Sequence, residues 1–152
     1  MIEVTQTVLH DPDNGVNGNC FSAVLASLLH LPIEQVPLFV SPDWRKKLNA
    51  WLRPFGLAYI EIVSIDGDFP SLGIEGCYHE VSGLSPRFPD TLHSCVGHDG
   101  SVLFDPHPAK EAVARTTGHG FFIALEPWRW AEKLTAPTDR QSAISTSTLE
   151  IA

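Results

Sequence analysis

Cys20, His93 and Asp105 have the types and the order to do nucleophilic chemistry along this chain. Cys20 lies in Gly18-Asn19-Cys20-Phe21-Ser22-Ala23, where a loop runs into a helix. Phe21, Val24, Leu25, Leu28 and Leu29 recur at the spacing of one buried helical face. A cysteine at such a junction sees partly positive backbone N–H groups, which favour the thiolate, the form that attacks. A nucleophile needs a base, and seven histidines are available. Hairpin arithmetic selects among them. If Leu92–Gly97 and Val102–Asp105 are the arms about His98-Asp99-Gly100, a three-residue loop with Gly100 left-handed sets Gly97 opposite Ser101. His93 then faces Asp105 across the ladder, close enough to hydrogen-bond. A two-residue turn would place the pair on opposite faces. In the first register Cys20 is the nucleophile, His93 its base and later acid, and Asp105 the orienter of the imidazole. The Cys20 backbone N–H is one oxyanion donor, and a side-chain amide from Gln6, Asn14, Asn17 or Asn19 supplies the other, with Gln6 preferred.

The elements that must hold these residues read as helices first and strands later. A short strand is expected over 3–9 and a loop dense in Asp, Asn, Pro and Gly over 10–18. Asn19 or the residue before it caps a helix that runs to about Leu31 and stops before Pro32. A brief helical turn follows over 33–36. A second helix spans 43–53, with Trp44, Leu48, Trp51 and Leu52 on one face. From Leu57 the period changes to two, with strands expected over 57–65, 77–82, 92–97, 102–105 and 120–125. This order implies an α+β domain, with the nucleophile's helix packed on an antiparallel sheet. The domain is expected over 1–134, with a Ser/Thr-rich tail over 135–152.

The net charge of −8 and the absence of a Lys/Arg cluster beyond Arg45-Lys46-Lys47 exclude nucleic acid as an expected partner. No apolar run approaches the roughly 20 residues that cross a bilayer, so no membrane is expected either. Three cysteines are a poor basis for an exported disulfide framework, and the expected compartment is the cytoplasm. Oligomeric state is not legible.

The order of Cys at a helix start, His at a strand start and Asp at the end of the next strand resembles papain-like cysteine peptidases. The likeness is to the C39-like branch and to small papain-like proteins of bacteria and phages. It rests on Gln6-Thr7, on the Cys20 segment and its helix, on Tyr78-His79-Glu80-Val81-Ser82-Gly83, on His93-Ser94-Cys95-Val96-Gly97 and on Phe104-Asp105-Pro106-His107-Pro108. The resemblance implies a papain-like fold and places Cys20, His93 and Asp105 as nucleophile, base and orienter. Two departures stand out. Phe21 follows the nucleophile where the branch has glycine, and Gln6 is separated from Cys20 by the 10–18 loop.

Other residues carry plainer readings. Cys77 and Cys95 fit strand patterns as core, and the four tryptophans fit packing. His79, Ser82 and His107 are secondary candidates for substrate contact; His79 reads equally as a hydrogen-bonded strand residue and Ser82 as part of a turn or cleft wall. His93, Cys95, His98 and His107 are zinc-compatible types, but no CxxC or HExxH spacing accompanies them, and neither metal nor cofactor is expected. Two function classes follow. One is a cysteine hydrolase of peptidase, amidase or thioesterase type, acting on a peptide, protein or other amide-containing substrate through an acyl-enzyme, with transfer to an amine as a variant. The other is a non-catalytic papain-like module that binds a host or partner protein.

Overall fold

The computed structural model describes residues 1–66, 68–70 and 73–129. Trp130 and the tail over 135–152 lie outside them. Helix α1 spans Cys20–Leu29 and helix α2 Trp44–Leu52. The strands are β1 (Leu57–Val63), β2 (Tyr78–Leu84), β3 (Leu92–His98), β4 (Ser101–Phe104) and β5 (Arg115–Ala124). They form one antiparallel sheet in the order β1-β5-β2-β3-β4. The architecture is therefore α+β, and the last strand threads between β1 and β2 rather than joining an edge.

Helix α1 ends two residues short of the expected position. His30 turns into the left-handed region at φ 56° and its N–H closes on the Ala26 carbonyl, a common way to stop a helix before a proline. Periodicity marked one apolar face, yet every residue from Ser22 to Ser27 is buried. The reason is that α1 is enclosed on several sides. Val24 and Leu28 pack on Val96 and Phe104 of the sheet. Leu25 and Ala26 meet Leu48 and Leu52 of α2 and Tyr59 of β1. Ser27 accepts from the N-terminal chain, its carbonyl from the Ile2 N–H and its hydroxyl from the Val4 N–H. Leu25, Leu48 and Leu52 are fully buried, each contributing about 1.5–3 kcal/mol of transfer free energy.

The strand expected over 3–9 is not formed. Alternating residues alone do not make a strand without an edge to pair with. The segment instead makes single backbone bonds to different elements, Gln6 N–H to the Pro106 carbonyl and the Val8 carbonyl from Asn19 N–H.

The β3–β4 hairpin forms, but with a different turn. His98 pairs with Ser101, so the loop is only Asp99-Gly100. Both residues have positive φ, 47° and 86°, the geometry of a type I′ turn. Asp99 is held there by its carboxylate, which accepts from the N–H groups of Gly76 and Cys77. That turn alone would turn Asp105 away from His93. A bulge corrects it: Gly97 pairs with Val102 but Val96 with Phe104, so Leu103 is an extra residue. The bulge restores the lost parity, and Asp105 comes to lie diagonally across from His93, beside Cys95.

Candidate active site

Each of the three candidate residues is placed by a different device. Cys20 is the first residue of α1, where the leading N–H groups have no partner inside the helix. Asn19 precedes it without capping the helix. Its side-chain oxygen instead accepts from the N–H groups of Thr7 and Val8, at 3.0 and 2.9 Å, and its amide donates to the Thr7 hydroxyl. Asn19 thus straps the segment carrying Gln6 against the helix start.

His93 and Asp105 are only 4% and 5% exposed, and His93 Nε2 lies 2.7 Å from Asp105 Oδ1. Asp105 is fixed from both ends. Its Oδ1 also accepts from the His107 N–H at 2.8 Å, and its Oδ2 from the Ala112 N–H at 2.9 Å. Burial raises the carboxyl's proton affinity, but the hydrogen bonds from His93, His107 and Ala112 outweigh it and bring the pKa down to about 2. Burial pulls His93 the other way, yet its bonds to Asp105, Cys20 and Cys95 push it up to about 11. The two values describe one coupled pair, a carboxylate facing an imidazolium. With Nε2 committed to Asp105, Nδ1 is the nitrogen left for sulfur. The hydrogen bond to Asp105 thus favours the protonated imidazole of His93.

Cys20 and His93 open on a cleft of about 160 Å³ that Gln6, Asn17, Gly18 and His107 also line. Gln6 is 93% shielded at 7% exposure. One of its amide hydrogens goes to the Val8 carbonyl at 2.9 Å, the other has no acceptor among the described residues, and its buried Oε1 has no hydrogen-bond partner. Asn17 also reaches the cleft. Asn14 does not, since its amide donates to Asp11 in a surface turn, and Asn19 is consumed by its strap. Of the four amide candidates, Gln6 and Asn17 remain.

The secondary candidates separate. His107 lines the cleft, its ring perpendicular to that of His93 at 6.2 Å. His79 does not belong there. It is fully buried, with Nδ1 on the Glu80 carbonyl and Nε2 accepting from the Gly100 N–H, so its role is structural. Ser82 lines a neighbouring cavity instead.

Sequence reasoning placed Cys95 in the core and missed its contact with His93. It is indeed fully buried, and burial raises its thiol pKa, but it shares a strand face with His93, and its sulfur lies within 4.8 Å of a His93 ring nitrogen. The i, i+2 spacing was the available signal. His93, Cys95 and Asp105 have ligand atoms within 4.8 Å of one another. A metal would nonetheless have to open the 2.7 Å His93–Asp105 bond, because atoms bound at about 2 Å to one zinc stand more than about 3 Å apart. His98 stands apart from this group, edge-on to the Tyr78 ring and facing Asp99. All three cysteines are free. Among the described residues no helix is long and apolar enough to cross a membrane. No family model, curated protein or solved structure matches the chain.

Proposed function

We propose that the protein is a papain-like cysteine hydrolase acting on an amide, isopeptide or thioester bond. The observation that carries the reading is that Cys20 and His93 line one open cleft, with the buried Asp105 carboxylate bonded to His93 behind it. An imidazolium beside a sulfur at a helix N-terminus favours the thiolate. In the reaction, Sγ of Cys20 attacks the carbonyl carbon and a C–S bond forms. The developing oxyanion is met by the Cys20 backbone N–H and the spare N–H of Gln6. His93 passes its proton to the leaving group as the scissile bond breaks, leaving a thioester and a neutral imidazole. His93 then takes a proton from water, whose oxygen attacks the thioester and returns the thiolate. Asp105 stays ionised throughout and holds the ring.

The test is the rate of Cys20 alkylation by iodoacetamide against pH, with the label located by peptide mass. The native chain should react at a plateau well below the free-thiol value of about 8.5, and His93→Ala should lose it. An ordinary thiol profile, indifferent to His93, would leave the binding-module reading.

A further inference from the structure

A second cavity lies next to the cleft, and its walls are not those of ordinary core. Its volume is about 140 Å³, and its lining includes Phe21, Trp44, Tyr59, Glu61, Glu80 and Ser82. Phe21 is the residue that departs from the resembled pattern after the nucleophile. Its ring meets Trp44 and Tyr59 edge-on, at 5.4 and 5.8 Å between centroids. Leu92, beside His93, borders both cavities. A group seated here is therefore one residue away from the reacting atoms on each side.

The floor is polar and incompletely paired. Ser82 is 94% shielded at 6% exposure, yet its hydroxyl has no hydrogen-bond partner. Ser82 Oγ and Glu61 Oε1 converge above Gly118, where a Cβ would lie 3.0 Å from the first and 3.4 Å from the second. Glycine keeps that space open. Glu61 pairs through its other oxygen with Arg45 at the rim, and the Arg45 guanidinium lies 4.4 Å from the centre of the Trp44 ring. The chain's own cation thus already rests on this aromatic wall. Deeper in, Glu80 accepts from the Tyr59 hydroxyl at 3.1 Å. Burial raises its pKa to about 8.

We infer that this cavity binds a cationic alkyl side chain of the substrate, with the aromatic faces around its stem and Glu61, Ser82 and Glu80 around its charge. The inference deepens the hydrolase reading, on which it rests, by naming a substrate class: peptides or proteins carrying a basic residue beside the cleaved bond. Aromatic faces attract cations, an unpaired buried hydroxyl gains a partner, and an ionised carboxylate makes the strongest bond of the set.

The test is direct binding of n-butylammonium, a lysine side chain without its backbone, to the full chain. It is followed by NMR at the Trp44 indole N–H at constant ionic strength. The expected result is a saturable shift that n-butanol does not produce, weakened about tenfold or more in Glu61→Gln. Ser82→Ala should also weaken it while leaving the Arg45–Glu61 pair in place, so loss there cannot come from a released Arg45. Equal shifts with n-butanol, no saturable shift, or unchanged affinity in both variants would overturn the inference. No readout here involves sulfur, so the cavity can fail while Cys20 reactivity stands, and the reverse.

Discussion

Two groups of buried histidines sit on the same sheet and are driven in opposite directions. His93 on β3 is nearly sealed from solvent, but a carboxylate tied by two backbone N–H groups faces it, and its pKa rises to about 11 against the pull of burial. His79 on β2 and His119 on β5 are as deeply buried, and their rings lie 5.1 Å apart against Phe69. No carboxylate is bonded to either. His79 finds a backbone carbonyl and the Gly100 N–H. His119 has no full hydrogen bond at either ring nitrogen among the described residues, with only a pull from the Asp68 backbone. Burial lowers the pKa of both. Burial alone makes a histidine neutral and inert, whereas burial with an anchored anion makes it a charged proton donor.

The contrast breaks most completely if Asp105 is moved without being mutated. Inserting one alanine between Phe104 and Asp105 leaves the Val96–Phe104 pairing and the Leu103 bulge in place but moves Asp105 one position along and so to the other face. We expect the low-pH alkylation plateau of Cys20 to disappear, as in His93→Ala, while the far-UV circular dichroism stays native. A retained plateau would show that the register of this strand does not position the acid.

Truncating the anion comes next. Asp105→Ala leaves a buried imidazolium unpaired and strips the His107 and Ala112 N–H groups of their acceptor. Breaking a buried pair from one side typically costs about 3–5 kcal/mol, readable as a lower midpoint in urea denaturation. His79→Gln, which has no ion pair to break, should lose less.

The pH dependence of stability separates the two groups further. His79 and His119 are favoured neutral in the fold, so the unfolded chain binds more protons below its histidine value of about 6.5. Their contribution is present above that pH and is lost as pH falls through their lowered folded values. The slope they add is at most about 1.4 kcal/mol per pH unit for each proton. The His93–Asp105 pair counts once. It persists down to where Asp105 takes a proton, near pH 2, and fades as pH rises through about 11. Denaturation of the native chain and of His119→Leu, compared between pH 4 and 7, should therefore show an acid limb that the substitution flattens. Their difference cancels the opposite slope that Glu80, with its pKa raised to about 8, adds to both. An unchanged limb would mean that His119 does not titrate with unfolding.

Much of this was legible beforehand, though not always for the right reason. The Cys20 helix followed from apolar spacing, and the hairpin from its turn residues. The His93–Asp105 pairing was reached through a three-residue loop that does not exist. A two-residue turn and a bulge at Leu103 shift the register by one each, and together they restore the face that the simpler loop implied. Turn type depends on Asp99 being captured by Gly76 and Cys77, a contact between residues more than twenty apart that no local pattern encodes. The strand over 3–9 failed for a related reason, since alternation does not say whether an edge is available. The acidic aromatic cavity was invisible because Phe21, Trp44, Tyr59 and Glu80 come from four separate segments, and each alone reads as packing.

Cys95 offers the smallest and most discriminating change. Its thiol touches His93 from within the same strand, while Cys20 approaches from another element. If the carboxylate is what sets His93 apart from His79 and His119, the second thiol is an accessory. Cys95→Ala removes one buried sulfur, and the cavity it leaves should cost no more than about 1–2 kcal/mol. The alkylation plateau of Cys20 should survive unchanged, because the Asp105 carboxylate still holds the His93 ring and its charge. Cys95→Ser, of similar size, should also keep it. A plateau lost in Cys95→Ala and regained in Cys95→Ser would transfer to that sulfur a share of the control that the geometry gives to Asp105.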